Sequence, residues 1–185
     1  MKTLIFANGD ISDYSKIYKW MKDHDYIICA DGGVKHSNAM NIIPNLIVGD
    51  LDSATPTLLE KYNELGVTVE RFPTEKDVTD TQIAVDLAMS MGADEILLIG
   101  ALGDRWDHSY ANVMLLYRMA KRGITGWIIG DKNIITICNS ILRLEGEKDQ
   151  LLSLLPFGGN VHIQSTFGLK YPISDEILTK DYPLG

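Results

Sequence analysis

The sequence predicts an α/β fold with an open, mostly parallel sheet, followed by a second region rich in β-structure. Over residues 1–122, short continuous apolar runs alternate with segments of helical spacing, which is typical of parallel strands buried on both faces. After Gly123, short apolar runs follow one another with turn residues between them and no long amphipathic helix. We therefore expect a Rossmann-like α/β domain at residues 1–122 and an antiparallel β-sandwich domain at residues 123–185.

The predicted strands of the first domain are apolar runs that end in turn-forming or polar residues. Five runs have strand length, and they lie at residues 3–7, 26–30, 46–48, 67–72 and 95–100. In the second domain the corresponding runs lie at residues 127–129, 134–138, 141–144, 151–155 and 161–164.

Two amphipathic helices are predicted between the strands of the first domain. Thr79 with Gln82 matches a capping box, and Gly92 matches a C-terminal stop, so the first helix is expected to lie between them. The second helix is expected to begin near Asp107 and to end before Gly123. Their apolar faces carry Ile83, Ala84, Leu87, Ala88 and Met91 in the first helix, and Val113, Leu116, Tyr117 and Ala120 in the second.

The composition disfavours two classes of function, nucleic-acid binding and membrane spanning. The net charge of -8 and the pI near 4.9 disfavour binding to nucleic acid, although an acidic surface can hold a nucleotide through a divalent cation. No apolar run approaches the length of a membrane span. Cys29 and Cys138 both lie in strand-like runs and are expected to be buried free thiols, which favours a cytoplasmic location.

Polar clusters follow the predicted strands. They lie at residues 8–10, 31–33, 50–53, 77–81 and 104–108. Because an open parallel sheet binds its ligands beyond the carboxyl ends of the strands, these clusters predict one site at that edge.

Asp50 and Asp52 flank one residue at the end of a strand. This spacing can turn both carboxylates toward one pocket, and hard oxygen ligands suit Mg²⁺. The alternative is an acidic turn in which Ser53 caps a helix.

Asp77 and Asp80 flank the start of the first predicted helix. A helix N-terminus attracts anions, and Thr81 can hydrogen-bond a phosphate there. The alternative is that the two carboxylates only stabilise the first turn and that Thr81 meets solvent.

Asp31-Gly32-Gly33 follows another strand, and glycine permits close approach of the backbone to a ligand. A plain turn explains it equally well. Neither a G-x-G-x-x-G nor a G-x-x-x-x-G-K-[ST] motif is present, which leaves a dinucleotide-dependent dehydrogenase and a P-loop kinase unsupported.

The segment 103–108 combines two carboxylates, a guanidinium and an imidazole at a strand-to-helix junction. Arg105 can bind phosphate through its fork of donors, and His108 can act as an acid or a base. The alternative is a helix start held by a salt bridge.

Taken in order, ADGG (30–33), VGDLDS (48–53), KDVTDTQIA (76–84) and GALGDRWDHSYANV (100–113) resemble the thiamine pyrophosphokinase family. The resemblance implies an ATP-binding α/β domain and a thiamine-binding β-sandwich domain in a homodimer, with thiamine bound near the dimer interface. It also implies Mg²⁺ as cofactor, ATP and thiamine as substrates and AMP as a product.

The resemblance also implies roles for individual residues. Asp50, Asp52 and Asp80 match Mg²⁺ ligands. The residues that match the ATP site are Asp31, Gly32, Gly33, Asp77, Thr81 and Arg105. Asp107, His108 and Asn112 match the segment at the reaction centre, with His108 and Asn112 toward thiamine. The implied catalytic set is Asp50, Asp52, Asp80, Arg105, Asp107 and His108.

One departure concerns the end of the sequence. Family members usually continue beyond the equivalent of Tyr182-Pro183-Leu184-Gly185 into strands that help to form the thiamine pocket. We expect nucleotide binding to be less affected by this difference than thiamine binding.

Two other functions compete with this interpretation. Asp50-Leu51-Asp52 after an apolar strand is similar to the nucleophile pair of haloacid-dehalogenase-type phosphatases, but here two strands precede it. The other alternative is a module that binds nucleotide or thiamine without turnover.

Overall fold

The computed structural model describes residues 1–181, so Tyr182-Pro183-Leu184-Gly185 lies outside the described residues. The chain divides into two compact units, Met1–Ile141 and Leu142–Gly185. This division comes later than the predicted boundary at residues 122–123, because the strands that follow Gly123 extend the first sheet.

The first unit is built on a seven-stranded sheet with the order β4-β3-β2-β1-β5-β6-β7. The first six strands pair in parallel, and β7 pairs antiparallel with β6. The predicted mostly parallel sheet is therefore confirmed. The strands are β1 Lys2–Phe6, β2 Tyr26–Ala30, β3 Leu46–Gly49, β4 Thr68–Arg71, β5 Glu95–Ile99, β6 Thr125–Ile129 and β7 Ile134–Thr136.

Helices connect the parallel strands. A 3₁₀ turn at Asp31–Gly33 follows β2, and the helices are α1 Ser15–Tyr18, α2 Val34–Ala39, α3 Pro56–Glu64, α4 Asp80–Ser90 and α5 Trp106–Ala120. Both predicted helices are thus confirmed as α4 and α5. Thr79 caps α4 by accepting a hydrogen bond from the Gln82 backbone N–H at 3.1 Å, and Gly92 follows the last turn with a φ of +85°.

The core of the first unit lies on both faces of the sheet. Successive residues of one strand enter different clusters, so that Ile5 packs on one face while Leu4 and Phe6 pack on the other. All three are fully buried. Burial on both faces explains why the strands read as continuous apolar runs in the sequence.

In the second unit, β8 Val161–Ser165 pairs antiparallel with β9 Ser174–Leu178. The predicted strands at residues 141–144 and 151–155 do not form, and Ile141 and Leu151 are 85% and 101% exposed. Strand propensity mostly reflects packing against neighbouring strands, and these runs have no neighbouring strand within residues 1–181.

Cys29 is buried as predicted, whereas Cys138 is exposed. The prediction for Cys138 was wrong because β7 ends at Thr136 and does not reach it. Within residues 1–181, no helix is long and apolar enough to cross a membrane.

Replacing Thr79 with alanine is expected to destabilise the protein by about 1 kcal/mol, because a backbone N–H at the start of α4 loses its acceptor. The thermal midpoint should fall by roughly 2–4 °C. Thr55→Ala is the matched control, since Thr55 precedes α3 without making a side-chain cap. Equal losses in the two variants would contradict this role of Thr79.

Candidate active site

The candidate site lies at the carboxyl edge of the sheet. The strands from β1 to β4 follow one another toward one edge of the sheet. The next strand, β5, pairs with the opposite side of β1. Such a reversal of strand order opens a crevice between the loops on its two sides. The Gly9 backbone N–H donates to the Gly100 carbonyl at 2.8 Å and joins the loops after β1 and β5.

Three aspartates meet at the ends of β2 and β3. Carboxylate oxygens of Asp31, Asp50 and Asp52 all lie within 4.8 Å of one another. Asp31 is 8% exposed and accepts a hydrogen bond from the Ser53 backbone N–H at 3.2 Å. Asp31 and Leu51 both adopt positive φ, at 47° and 63°. Strained backbone of this kind is common at functional sites, and here it lies where the carboxylates converge.

A fourth aspartate reaches this place from the start of α4. Gly49, at the end of β3, has a φ of +139°. A Cβ atom at Gly49 would lie 3.1 Å from both the Asp31 Cβ and the Asp80 Oδ1. Asp31 and Asp80 therefore approach the same point, and glycine is needed there for both conformation and space. We call Asp31, Asp50, Asp52 and Asp80 the acidic cluster.

Lys76 is the cation of the acidic cluster. Its Nζ lies 2.9 Å from Asp80 Oδ1 and 3.8 Å from Asp50 Oδ2, and its side chain is only 13% exposed. Nζ also donates to the Pro73 carbonyl at 3.0 Å. Desolvation lowers the pKa of Lys76, but the contact with Asp80 and the charges of Asp80, Asp50 and Asp31 raise it above its usual value.

The acidic cluster fits Mg²⁺ by the chemistry of its donors, because this ion prefers carboxylate oxygens and phosphate. The Asp80 Oδ1 is buried, and no group among residues 1–181 meets hydrogen-bond geometry with it, although Lys76 lies at ion-pair distance. The resemblance grouped Asp50 and Asp52 with Asp80. In the structure the mutually close set is Asp50, Asp52 and Asp31, while Asp80 pairs with Lys76.

Four other residues predicted to bind ATP lie within three positions of Asp31 or Asp80 in the sequence. Asp77 is exposed and Thr81 is partly buried, one before and one after the helix cap. Gly32 and Gly33 are buried in the 3₁₀ turn. A Cβ on Gly33 would lie 2.0 Å from the Phe6 carbonyl oxygen, so packing against β1 requires this glycine. Contact of either glycine with ATP stays a prediction.

Arg105 and Asp107 form an exposed ion pair at the start of α5. Arg105 Nη2 donates to Asp107 Oδ2 at 2.6 Å, and Nε donates to Oδ1 at 3.2 Å. The hydrogen bond from Arg105 holds the pKa of Asp107 below its usual value. His108 Nε2 lies 4.0 Å from Asp107 Oδ2. The helix start held by a salt bridge, one of the two interpretations of this segment, is thus present.

Two side chains of α5 hold the loop after β5 in place through hydrogen bonds, namely Asn112 and Ser109. Asn112 is 8% exposed and donates from Nδ2 to the Ala101 carbonyl at 2.8 Å. Ser109 Oγ accepts from the Gly103 N–H at 3.0 Å and donates to the Gly103 carbonyl at 3.1 Å. Asn112 therefore supports the loop that leads to Arg105, and its contact with thiamine stays a prediction. Ser109 was not predicted, because no motif singled it out in the sequence.

His36 supports the loop after β1 and was not predicted. It is 1% exposed, and its Nε2 donates to the Gly9 carbonyl at 2.8 Å. Since a carbonyl only accepts, Nε2 carries the proton and Nδ1 accepts from the Tyr14 hydroxyl at 2.7 Å. Desolvation lowers the pKa of His36 below its usual value.

The stability of the protein should therefore fall on acidification. The lowered pKa keeps folded His36 neutral, whereas in the unfolded chain it takes up a proton near its ordinary pKa of about 6.5. The contribution of His36 is complete above that value and is lost as the pH falls through the folded pKa. Thermal midpoints between pH 5 and 8 should decline less steeply for His36→Gln than for wild type; equal slopes would contradict this assignment.

The comparisons with known proteins all point to one family. The sequence profile described as thiamin pyrophosphokinase, catalytic domain, matches residues 17–128. The thiamine pyrophosphokinase of Bacillus subtilis (strain 168) is 30% identical over 179 residues, covering 95% of this chain and 83% of that protein. Thiamine pyrophosphokinase 1 of Oryza sativa subsp. japonica is 32% identical over 114 residues, covering 50% of this chain and 43% of that protein.

The same similarity appears among solved structures. The crystal structure of thiamine pyrophosphokinase from Bacillus subtilis superimposes with a TM-score of 0.85 at 28% identity. The match covers 100% of this chain and 87% of that one. This chain belongs to the thiamine pyrophosphokinase family.

Proposed function

We propose that this protein transfers a pyrophosphoryl group from ATP to the hydroxyl of thiamine, giving thiamine diphosphate and AMP. Membership of the family supports the choice of substrates. The observation that carries the proposal is the convergence of Asp31, Asp50 and Asp52, with carboxylate oxygens within 4.8 Å of one another, at the carboxyl edge of the sheet. A polyphosphate substrate needs a cation to sit beside such a group of carboxylates.

The acidic cluster would hold Mg²⁺. When bound, this ion would neutralise charge on the phosphate oxygens of ATP. The chain supplies the positioning: the Ser53 N–H orients Asp31, and Asp50 Oδ1 accepts a hydrogen bond from the Asp52 N–H at 3.3 Å. Both contacts fix the carboxylates before the substrate arrives, which lowers the cost of binding.

The start of α4 would bind phosphate oxygens. The N–H groups of its first turn point out of the N-terminal end of the helix, next to Thr79. The helix dipole favours negative charge at this end. Thr81 lies in this first turn and offers a hydroxyl donor. We propose Thr81 as a contact of ATP on this basis and on the family resemblance, and Asp77 on the family resemblance alone.

The start of α5 would act on the transferred group. In the reaction the thiamine hydroxyl oxygen bonds to the β-phosphorus, the bond to the bridging oxygen of AMP breaks, and the hydroxyl proton passes to a base. We propose that Arg105 exchanges its carboxylate partner for the transferring group. We propose that Asp107 or His108, both in the first turn of α5, accepts this proton.

The product formed from ATP distinguishes this function from its competitors. With Mg²⁺ and thiamine, chromatography should find AMP as the nucleotide product, and adding EDTA should stop its formation. ADP, or inorganic phosphate with a phosphorylated Asp50, would favour a phosphatase or another kinase. Binding of ATP with no product would favour a binding module. No comparison supports either alternative.

We also propose that the protein acts as a cytoplasmic homodimer. The free thiols of Cys29 and Cys138 fit a reducing compartment. The dimer is an expectation from the family resemblance, and the large exposed apolar side chains of Trp106 and Met114 on α5 are compatible with an interface. Sedimentation equilibrium should give twice the chain mass; a monomer at micromolar concentration would contradict the dimer.

A further inference from the structure

We propose that Lys76 serves as a built-in counterion that competes with the divalent cation for the acidic cluster. This inference rests on the metal site proposed above and concerns the chain's own response to it. Lys76 neutralises part of the cluster in the metal-free protein, and metal binding requires that its ammonium leave Asp80 and Asp50.

The contacts of Lys76 are those of a partly buried cation among carboxylates. Its Nζ is 2.9 Å from Asp80 Oδ1, an atom that meets no hydrogen-bond geometry elsewhere within residues 1–181. The same Nζ is 3.8 Å from Asp50 Oδ2, and Asp50 is one of the three mutually close aspartates. A single ammonium thus bridges Asp80 to the metal-ligating group.

The local charge explains why a cation is needed. Four carboxylates lie around the end of β3, and Asp50, Asp80 and Lys76 have side chains that are 12%, 20% and 13% exposed. Like charges at such partly desolvated positions repel strongly unless a cation lies among them. Lys76 occurs four residues before Asp80, so its position is fixed by the turn that leads into α4.

Competition between Lys76 and the metal ion predicts the direction in which metal affinity changes when Lys76 is replaced. If metal binding must break the contacts of Lys76, then removing the ammonium makes metal binding tighter, even though it destabilises the metal-free protein. Removing an ion pair that lies away from the metal ligands would lower stability equally with and without metal and would leave metal affinity unchanged.

The test measures Mn²⁺ binding without nucleotide, using the electron paramagnetic resonance signal of free Mn²⁺, together with thermal midpoints in EDTA and in saturating Mn²⁺. Lys76→Met and Lys76→Gln should bind Mn²⁺ about 5-fold more tightly or better than wild type. Their thermal midpoints should be lowered in EDTA, and this deficit should shrink in Mn²⁺. Using two neutral variants keeps the test valid if one of them folds poorly.

The controls separate charge from position. Lys76→Arg keeps the positive charge and should bind Mn²⁺ as wild type does. Lys16→Met removes a lysine that pairs with Asp13 outside the acidic cluster and should also match wild type. Wild-type or weaker Mn²⁺ affinity in both neutral Lys76 variants would overturn the inference alone. Absence of Mn²⁺ binding in wild type and in both neutral variants would overturn the proposed metal site as well.

Discussion

Asp52→Asn is expected to lower kcat/KM for the formation of thiamine diphosphate by about 10³-fold or more, while the protein stays folded. The substitution keeps the volume of the side chain and removes its charge. Asp52 is exposed, and its carboxylate makes a local contact, accepting from Ser53 Oγ at 2.9 Å. The loss of activity is therefore expected to come from weaker binding of the cation and not from a disturbed core. Asp50→Asn should behave in the same way, since the Asp50 carboxylate lies within 4.8 Å of those of Asp31 and Asp52.

Steady-state assays at several Mg²⁺ concentrations would measure this effect, with circular dichroism to check the fold. Glu60→Gln is the matched control, because it neutralises an exposed carboxylate on α3 outside the acidic cluster. Activity within a few-fold of wild type in Asp52→Asn would remove Asp52 from the metal site.

Arg105→Met is expected to lower kcat by about 10²–10³-fold, with a smaller change in KM for ATP. Arg105 is 69% exposed and, among residues 1–181, forms its ion pair with the neighbouring carboxylate of Asp107, so little stability depends on it. Its fork of donors suits the oxygens of the transferring group, and the charge developing there is stabilised mainly in the transition state. Arg105→Lys should recover only part of the loss, because an ammonium cannot donate two parallel hydrogen bonds.

Arg118→Met provides the control for Arg105. Arg118 lies on the same helix and pairs with Asp86 at 2.9 Å, so it matches Arg105 in charge and in having one carboxylate partner. Its replacement should leave kcat near wild type. A pair of variants with equal losses would indicate that α5 as a whole, and not the guanidinium at its start, supports the reaction.

The strands of the first unit and the helices α4 and α5 could be predicted because local and global signals agree there, whereas α1, α2 and α3 were not predicted. Continuous apolar runs gave β1, β2, β3 and β5, and the cap at Thr79 with the stop at Gly92 bounded α4. The boundary between the two units could not be predicted in the same way. The apolar runs of β6 and β7 fit either a parallel sheet or a β-rich domain. They are assigned to the first unit by the pairing of β6 with β5 and of β7 with β6.

The site could be predicted in outline because parallel strands bring their carboxyl ends to one edge. The spacing of Asp50 and Asp52 and the family resemblance made them candidates, and the structure places their carboxylates close together. The participation of Asp31 in the same cluster depends on its positive φ, which the sequence does not reveal. Lys76 was overlooked, although its spacing of four residues from Asp80 was visible. His36 gave no signal, because its partners come from distant segments.

The most direct test of the account follows the phosphates of ATP. The complete chain is incubated with Mg²⁺, thiamine and ATP that carries ³²P in its β-phosphate, and the labelled products are separated. We predict that the label appears in thiamine diphosphate, in amounts equal to the AMP formed and only when thiamine is present. Label released as inorganic phosphate or pyrophosphate, or retained in ADP, would contradict the transfer of an intact pyrophosphoryl group.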